Sequence, residues 1–218
     1  MVFLDADVRL DPTAISATIN EKSDWDFISP YPKQLTKGFI PFIFQPLLQW
    51  SWLSSIPLTF AHRFKVKSMI VANGQFFIVK KSAYFTVDGH RGVKNRVLDD
   101  LQLARKLSAA KYQGGVLNAS RVSKCLMYET SAQLFSGYQK SLWAGFGGVF
   151  GSVLAFVILF LTGLINFIAA ANYLLFAYAA ILILISRILS SLKTGGDLRS
   201  VIFHPLATIT LLYLLLTS

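Results

Sequence analysis

The distribution of apolar and polar positions divides the chain into two parts. Up to Trp143, short apolar runs alternate with polar turns, which is typical of an α/β domain. From residue 144 to 186, and again from 201 to 218, the sequence contains no Asp, Glu, Lys or Arg. The pattern therefore predicts one α/β domain over residues 1–143 and a transmembrane region over residues 144–218.

The first part begins with elements of β-α-β type. The apolar run Val2–Leu4 predicts a short buried strand of the kind found in parallel sheets. An Asp-Pro helix start, followed by Ile15 and Ile19 at helical spacing, predicts an amphipathic helix over residues 11–22. Residues 25–29 alternate as a second strand, which the prolines that follow are predicted to end.

Further elements are predicted from residue 69 onward. Residues 69–79 indicate two short strands around a tight turn at Asn73–Gly74. Residues 80–88 indicate a short helix, and residues 95–110 give the clearest amphipathic helix of this part. Residues 116–128 then alternate as two more strands.

An uncharged segment over residues 38–61 interrupts the α/β pattern. Its three prolines argue against a continuous transmembrane helix. Trp50 and Trp52, together with the basic cluster at residues 62–67, favour a segment that lies in the membrane interface. The alternative is a pair of buried core helices.

The transmembrane region is long enough for two or three spans. Counting about 20 residues per span predicts helices over residues 144–165 and 169–189. Residues 201–217 are either a third span or a re-entrant segment. Gly147 and Gly151 stand four positions apart, which predicts close helix packing near the start of the first span.

Basic residues flank these helices on one side. Lys140 precedes the first span, and Arg187, Lys193 and Arg199 follow the predicted core of the second. Cytoplasmic loops carry an excess of Lys and Arg. The protein is therefore predicted to be a multi-pass protein of the cell membrane with its amino-terminal domain in the cytoplasm.

The chain carries a formal net charge of +10, and most of it lies in the first part. A basic surface of this size binds nucleic acid, anionic lipid or a phosphate-bearing substrate. The apolar region places the domain beside anionic lipid, and no nucleic-acid module is recognised, so a nucleic-acid partner ranks last. The single cysteine, Cys125, excludes an internal disulfide.

Two pairs of aspartates lie at the ends of predicted elements. Asp5 and Asp7 follow the first strand, at the edge where open α/β sheets bind ligands. Such a pair can converge on Mg²⁺ or Mn²⁺, which usually completes its shell with substrate phosphates. Asp99 or Asp100 can serve as a general base. The simpler alternatives are a solvated loop for the first pair and helix N-terminal acids for the second.

Three motifs support a resemblance to a known family. They are Leu4–Asp7, Ala72–Tyr84 followed by Asp88–His90, and Val97–Leu107. Their order resembles that of the membrane-associated family 2 glycosyltransferases of bacteria, above all those grouped with carotenoid and hopanoid glycosyltransferases. The resemblance implies an α/β GT-A fold followed by transmembrane α-helices. It also implies inverting transfer of a sugar from a nucleotide-sugar, such as a UDP-sugar, to a lipid or isoprenoid-type acceptor.

The resemblance assigns roles to both aspartate pairs. Asp5 and Asp7 match the family's DxD motif, with Asp7 the more direct ligand of Mg²⁺ or Mn²⁺. Asp99 and Asp100 match the ED pair of the family. The second member of that pair, here Asp100, is the implied catalytic base.

Four further residues are implied to bind the donor or the acceptor. Asn73 and Gly74 fall in the stretch that lines the acceptor and donor-sugar side. Gln139 and Trp143 match the ends of the QxxRW motif of processive synthases, in which Leu142 stands at the arginine position. The missing arginine, with only two or three spans, argues against a processive synthase.

The strands that bind the nucleotide precede the DxD strand in this family, whereas this sequence begins at that strand. The resemblance therefore implies the carboxyl-terminal part of a GT-A domain, as a fragment, from a misplaced start or as the partner of a separate chain. Two alternative functions stay open. One is a non-catalytic membrane protein with a degenerate glycosyltransferase fold, and the other is a basic lipid-binding membrane anchor.

We predict that the 218-residue chain alone does not bind nucleotide-sugar tightly, because the strands that contact the base and ribose are not among its motifs. Calorimetric titration with a UDP-sugar and Mn²⁺ measures this. Submillimolar binding would contradict the prediction.

Overall fold

The computed structural model describes residues 1–55, 71–94 and 98–218. The end of the predicted interfacial segment, the start of the predicted strand pair and the start of the helix predicted at 95–110 lie outside the described residues. So does the basic cluster that follows the interfacial segment.

The chain divides into two compact units. The first comprises Met1–Leu35 and Ile56–Met127, and the second comprises Thr36–Ser55 and Tyr128–Ser218. In the described residues the first unit is mixed α/β and the second is helical. The predicted fold class is confirmed at this level.

A four-stranded mixed sheet forms the centre of the first unit. Its strands stand in the order β1 (Val2–Leu4), β5 (Phe76–Val79), β3 (Phe27–Tyr31) and β6 (Gly114–Asn118). Strand β5 pairs antiparallel with β1 and β3, whereas β3 and β6 pair parallel. Strands β1, β3 and β6 therefore run in one direction and β5 in the opposite one.

The first strand is not the buried parallel strand that the sequence predicts. In the described sheet β1 lies at the edge and pairs antiparallel with β5 alone. Val2 is 42% exposed and Leu4 is 45% exposed. A three-residue apolar run does not distinguish an edge strand from a central one, because it carries no information on which strands lie beside it.

Helix α1 (Ala14–Glu21) lies between β1 and β3 in the chain, so the predicted β-α-β order is present. The two strands run parallel but are not neighbours, because β5 pairs between them. The prediction that Ile15 and Ile19 form the buried face of α1 is wrong, because they are 40% and 41% exposed. The buried residues of this helix are Ala14 and Thr18. Small side chains on the inner face let the helix approach the sheet closely.

Strand β3 continues through the proline that is predicted to end it. Pro30 and Tyr31 both pair with β6 in parallel register. The Tyr31 carbonyl accepts a hydrogen bond from the Ala119 amide, so the alternation of the strand turns the Pro30 nitrogen to the opposite side. On that side β5 pairs only with the first two residues of β3, so Pro30 removes no ladder bond.

A second, smaller sheet has the order β2 (Val8–Leu10), β7 (Ser123–Cys125) and β4 (Lys33–Gln34). Strand β7 pairs antiparallel with β2 and parallel with β4. Its register places Cys125 opposite Val8. This pairing brings the only cysteine next to the predicted DxD segment.

Two helices complete the first unit. Helix α3 (Lys81–Thr86) follows β5, and α4 (Asp99–Ala109) buries Leu103 and Leu107, as its periodicity predicts. Residues 71–73 form no strand. Of the predicted strand pair before α3, the described residues therefore contain only the second strand, β5.

Three helical segments among the described residues are long and apolar enough to cross a membrane. They are Val149–Ala169, Leu174–Thr194 and Leu198–Thr217. The prediction of membrane-spanning helices is confirmed at the level of length and composition, and the third segment is as long as a full span.

These segments contain the remaining carboxyl-terminal helices. The first consists of α6 (Val149–Phe160), a π-helical turn and α7 (Asn166–Ala169), and the second is α8 (Leu174–Thr194). The third begins with a 3₁₀ turn (Leu198–Phe203) and continues as α9 (His204–Thr217).

The outer surfaces of these segments are strongly apolar. Phe150 is 83% exposed, Leu175 is 76% exposed and Ile202 is 73% exposed. Contiguous apolar surface of this kind is unfavourable in water and is covered by lipid or by a partner. The second unit therefore has the surface of a membrane-associated bundle.

The first span begins later than residue 144. Helix α5 covers Ser131–Gly145 and so runs across the predicted domain boundary. Gly147 and Gly148 follow with φ of +86° and +87°, a conformation that breaks the helix before Val149. A Cβ on Gly147 would meet nothing within 4 Å, so this glycine makes no close packing contact with the described residues.

Helix α2 covers Phe39–Ser55 and contains Pro46. Ile43, Phe44 and Leu47 are fully buried in a core that α2 shares with α9. In the described residues this segment packs as an internal helix of the second unit rather than as an interfacial segment. The alternative of a buried helix, which the sequence leaves open, fits these residues.

We predict that Gly114→Ala destabilises the first unit by about 1–3 kcal/mol, the usual range for overpacking. Gly114 pairs with Phe27, and a Cβ there would overlap the Phe27 carbonyl and ring. The exposed neighbour Gln113 supplies the control. The free energy of unfolding of Gln113→Ala should stay within about 0.5 kcal/mol of the wild-type value. Thermal unfolding in detergent, monitored by circular dichroism, measures the stability of both variants. Equal stability of the two would contradict the overlap.

Candidate functional site

The turn that leads into β5 is held in place by side-chain hydrogen bonds. The Ser29 hydroxyl accepts from the Asn73 amide at 2.6 Å and donates to the Asn73 carbonyl at 3.0 Å. The Asn73 Oδ1 accepts from the Gln75 amide at 2.9 Å. The turn is therefore fixed to the neighbouring strand β3 as well as to itself.

This turn holds the second aspartate pair through one bond. The Gly74 amide donates to Asp100 Oδ2 at 2.6 Å. A Cβ on Gly74 would lie 3.0 Å from the Asp100 Cβ and 3.2 Å from its Oδ2. Glycine at this position lets the backbone approach the carboxylate closely. The predicted site residues Gly74 and Asp100 are thus in direct contact.

The same turn holds the first aspartate pair. The Asp5 amide donates to the Gln75 carbonyl at 3.0 Å, which continues the β1–β5 pairing past Leu4. Burial raises the pKa of Asp5, and the charges of Asp7, Asp100 and Asp99 raise it further. Both predicted aspartate pairs therefore lie within electrostatic reach of one another.

Asp100 has the environment of a base. Burial raises its pKa above the ordinary value, hydrogen bonds from the Leu101 and Gly74 amides oppose this shift, and the charge of Asp99 adds to it. The net direction is upward. Asp99 is exposed, and its Oδ1 accepts from the Asp100 amide at 2.9 Å. The surroundings of Asp100 therefore favour its protonated form, which suits a carboxylate that accepts a proton.

Asp7 belongs to a buried polar chain that the sequence does not predict. Its Oδ2 accepts from the Cys125 thiol at 3.3 Å, and Cys125 Sγ accepts from Gln75 Nε2 at 3.1 Å. Gln75 Oε1 in turn accepts from Gln34 Nε2 at 2.7 Å. Burial, followed by the charge of Asp7, raises the pKa of Cys125, so this thiol stays protonated and donates.

One acceptor at this site has no partner among the described residues. Asp7 Oδ1 is buried and receives no hydrogen bond. A buried carboxylate oxygen without a donor is unfavourable, and a cation would satisfy it. The described residues contain no group of three His, Cys, Asp or Glu side chains placed to hold a metal ion. A cation at this point would therefore find few ligands among the described residues and would need oxygens from a substrate or from water.

The motif that ends in His90 supports the fold beside β1. The Tyr84 hydroxyl lies 2.9 Å from His90 Nδ1, and the rings of Phe3 and His90 meet edge to face with centroids 4.7 Å apart. A Cβ on Gly89 would overlap the Tyr84 ring. These residues anchor the strand that carries Asp5.

Gln139 and Trp143 lie in the second unit. Gln139 Nε2 donates to Thr217 Oγ1 at 3.1 Å, and the Trp143 amide donates to the Ser218 hydroxyl at 3.1 Å. Leu142 is buried in the core of this unit. The contacts of both predicted binding residues therefore fix α5 to the end of α9.

Sequence reasoning identified Asp5, Asp7 and Asp100 but missed Gln75 and Cys125. The alternation of residues 122–128 carries a signal for Cys125, because it marks the buried face of β7. No sequence signal identifies Asp7 as its partner, since 118 positions separate the two.

The chain matches no protein-family model and no curated protein sequence. What bears on function is therefore the site itself, which combines two aspartate pairs, a close backbone turn and a buried oxygen that has no partner among the described residues.

We predict that Asp5→Asn raises the melting temperature at neutral pH without divalent cations, because it relieves repulsion by three neighbouring carboxylates. The gain should be on the order of 0.5 kcal/mol for a residue this exposed. The pKa of Asp5 is raised in the folded state. The stability gained by Asp5→Asn is therefore full above that pKa and shrinks as the pH falls through it. The gain vanishes at a pH low enough to protonate Asp5 in the unfolded chain too.

Thermal unfolding between pH 4 and pH 8 in EDTA checks this. Asp24→Asn, at an exposed position, is the matched control and should change little. A drop in melting temperature for Asp5→Asn at neutral pH would show that Asp5 stabilises the fold.

Proposed function

We propose that the chain is the catalytic and membrane part of an inverting glycosyltransferase of family 2. It transfers a sugar from a nucleotide-sugar to a lipid-soluble acceptor at the cytoplasmic face of the membrane. The observation that carries the proposal is the convergence of both aspartate pairs on the turn before β5. That convergence joins the two motifs to which the family resemblance gives complementary roles.

The first pair is assigned to the donor. Asp5 and Asp7 would hold Mg²⁺ or Mn²⁺, which when bound neutralises charge on the departing nucleoside diphosphate. Two observations support this assignment: the buried Asp7 Oδ1 has no partner among the described residues, and the neighbouring carboxylates raise the pKa of Asp5. Both effects are unfavourable for an empty site and are relieved by positive charge.

The second pair is assigned to the acceptor. Asp100 takes the proton from the acceptor hydroxyl as its oxygen attacks the anomeric carbon. The new bond joins that oxygen to the anomeric carbon, and the bond to the diphosphate oxygen breaks on the opposite face, so configuration inverts. The raised pKa of Asp100 makes it a stronger base than a solvated aspartate, and the Gly74 amide fixes its orientation.

The second unit is assigned to the lipid acceptor. Its three long apolar helices support membrane association. A lipid-soluble acceptor reaches the enzyme through the bilayer, so the enzyme needs no channel for a growing polymer. The proposal places the catalytic unit in the cytoplasm, where nucleotide-sugars are made.

We predict that Asp100→Asn lowers glycolipid formation by about 100-fold or more, the usual contribution of a general base. Asn keeps an acceptor for the Gly74 amide, so the turn should survive. Asp7→Asn should raise the Mn²⁺ concentration that gives half-maximal activity. Membranes that express the longest in-frame product of the native gene, incubated with labelled nucleotide-sugars, provide the assay.

The control is Asp24→Asn. Asp24 is exposed and lies outside both aspartate pairs and all three motifs of the resemblance. Its activity should match wild type. If neither Asp7→Asn nor Asp100→Asn lowers glycolipid formation, the enzymatic assignment is wrong and a non-catalytic membrane protein takes its place.

A further inference from the structure

Arg187 is an unusual side chain of the second unit. It lies in the span Leu174–Thr194 and is fully buried. None of its three guanidinium nitrogens has a hydrogen-bond partner among the described residues. A buried cation without a partner strongly destabilises a fold. Its presence therefore indicates a ligand of negative charge.

No carboxylate among the described residues accepts a hydrogen bond from Arg187. The acidic residues of the second unit are Glu129 and Asp197. Glu129 is exposed, and Asp197 Oδ2 accepts from Arg199 Nη2 at 2.6 Å. Residues 56–70 and 95–97, which are not among the described residues, contain no Asp or Glu. We therefore expect the counterion of Arg187 to come from another molecule.

The surroundings of Arg187 leave its donors available. The Trp50 ring centroid lies 6.0 Å from the guanidinium carbon, and the Trp50 Nε1 donates to the Ser186 hydroxyl at 2.6 Å. A cation–π contact takes up no hydrogen-bond donor, so the guanidinium N–H groups stay without an acceptor among the described residues.

A second buried polar side chain lies beside this group. His204 is fully buried, and its Nδ1 has no partner among the described residues. Its ring meets the Trp50 ring edge to face, with centroids 5.2 Å apart. Two independent side chains, on α8 and α9, therefore bring unused nitrogen atoms into one part of the interior.

Polar residues connect this site to the end of the span. Ser190, Ser191 and Thr194 follow Arg187 on the same face of α8, and all three are buried. Thr194 is the last residue of the helix, about 10 Å along the axis from Arg187 at 1.5 Å per residue. The head of a lipid at the bilayer edge can reach this depth, while its chains contact the apolar outer surface.

We propose that Arg187 anchors a buried binding site for the phosphate group of a membrane lipid. A phosphate mono- or diester offers the negative charge and several acceptor oxygens that match a guanidinium fork. A lipid is favoured over a soluble anion because the site lies within a membrane span and the apolar surface beside it fits acyl or isoprenoid chains. The assignment stands independently of glycosyl transfer.

Native mass spectrometry of the detergent-solubilised full chain tests the proposal with dioleoyl phosphatidate as probe. We expect one phosphatidate to remain bound, whereas dioleoylglycerol, which lacks the phosphate, does not. Arg187→Leu should weaken phosphatidate binding by about tenfold or more, as expected for loss of a charge-assisted hydrogen-bond donor. Lys193→Gln removes an exposed charge from the same helix and should bind as wild type does.

Thermal unfolding distinguishes ligand binding from a structural role. Without lipid, Arg187→Leu should match or exceed the wild-type melting temperature, because an uncompensated charge is removed. Added phosphatidate should then stabilise the wild type and not the variant. Arg187→Lys, which keeps the charge but not the planar fork, serves if the leucine variant does not fold, and should bind phosphatidate more weakly than wild type.

Three results would overturn the proposal. Equal phosphatidate binding by wild type and the Arg187 variants would remove Arg187 from any site. Equal retention of dioleoylglycerol would show that the chains and not the phosphate are recognised. Protection by millimolar inorganic phosphate as strong as that by phosphatidate would replace the lipid with a soluble anion.

Discussion

The candidate site depends on the turn that precedes β5. Because β5 runs against its neighbours, its first residues lie at the same edge of the sheet as the last residues of β1 and β3. The Gln75 carbonyl accepts from the Asp5 amide, and the Gly74 amide donates to Asp100. Ser29, in the middle of β3, holds the turn from the other side. A Cβ at Gly74 would lie 3.0 Å from the Asp100 Cβ, so Asp100 would have to shift by a few tenths of an ångström.

Each unit keeps charge that its own residues do not neutralise. In the first unit, burial and the charges of neighbouring carboxylates raise the pKa of Asp5, and the buried Asp7 Oδ1 has no donor among the described residues. In the second, Arg187 is buried without an acceptor among them. A fold selected for stability alone would replace such groups with apolar side chains. The two sites therefore differ in sign and in the ligand that would satisfy them.

Local sequence signals identified where helices and strands form better than which of them pack side by side. The Asp-Pro pair marked the start of α1 to within three residues, and periodicity located α4. The absence of charge located the membrane-spanning helices. The position of β5 between β1 and β3 was not predictable, because strand order is set by packing between distant segments and leaves no local pattern. The burial of α2 stayed one of two alternatives for the same reason, since its partner α9 lies more than 140 positions away.

Arg187 shows how one sequence pattern supports two physical interpretations. A basic residue after an apolar run normally marks the end of a span and its cytoplasmic flank. Here the helix continues for seven residues beyond Arg187, because Ser190, Ser191 and Thr194 face the protein interior while apolar residues keep the outer face. Ser190, Ser191 and Thr194, whose polarity in the sequence marks the end of a span, therefore line the inner surface of this helix. Helix length, rather than the first charge, therefore decides whether such an arginine contacts water or lies within the protein.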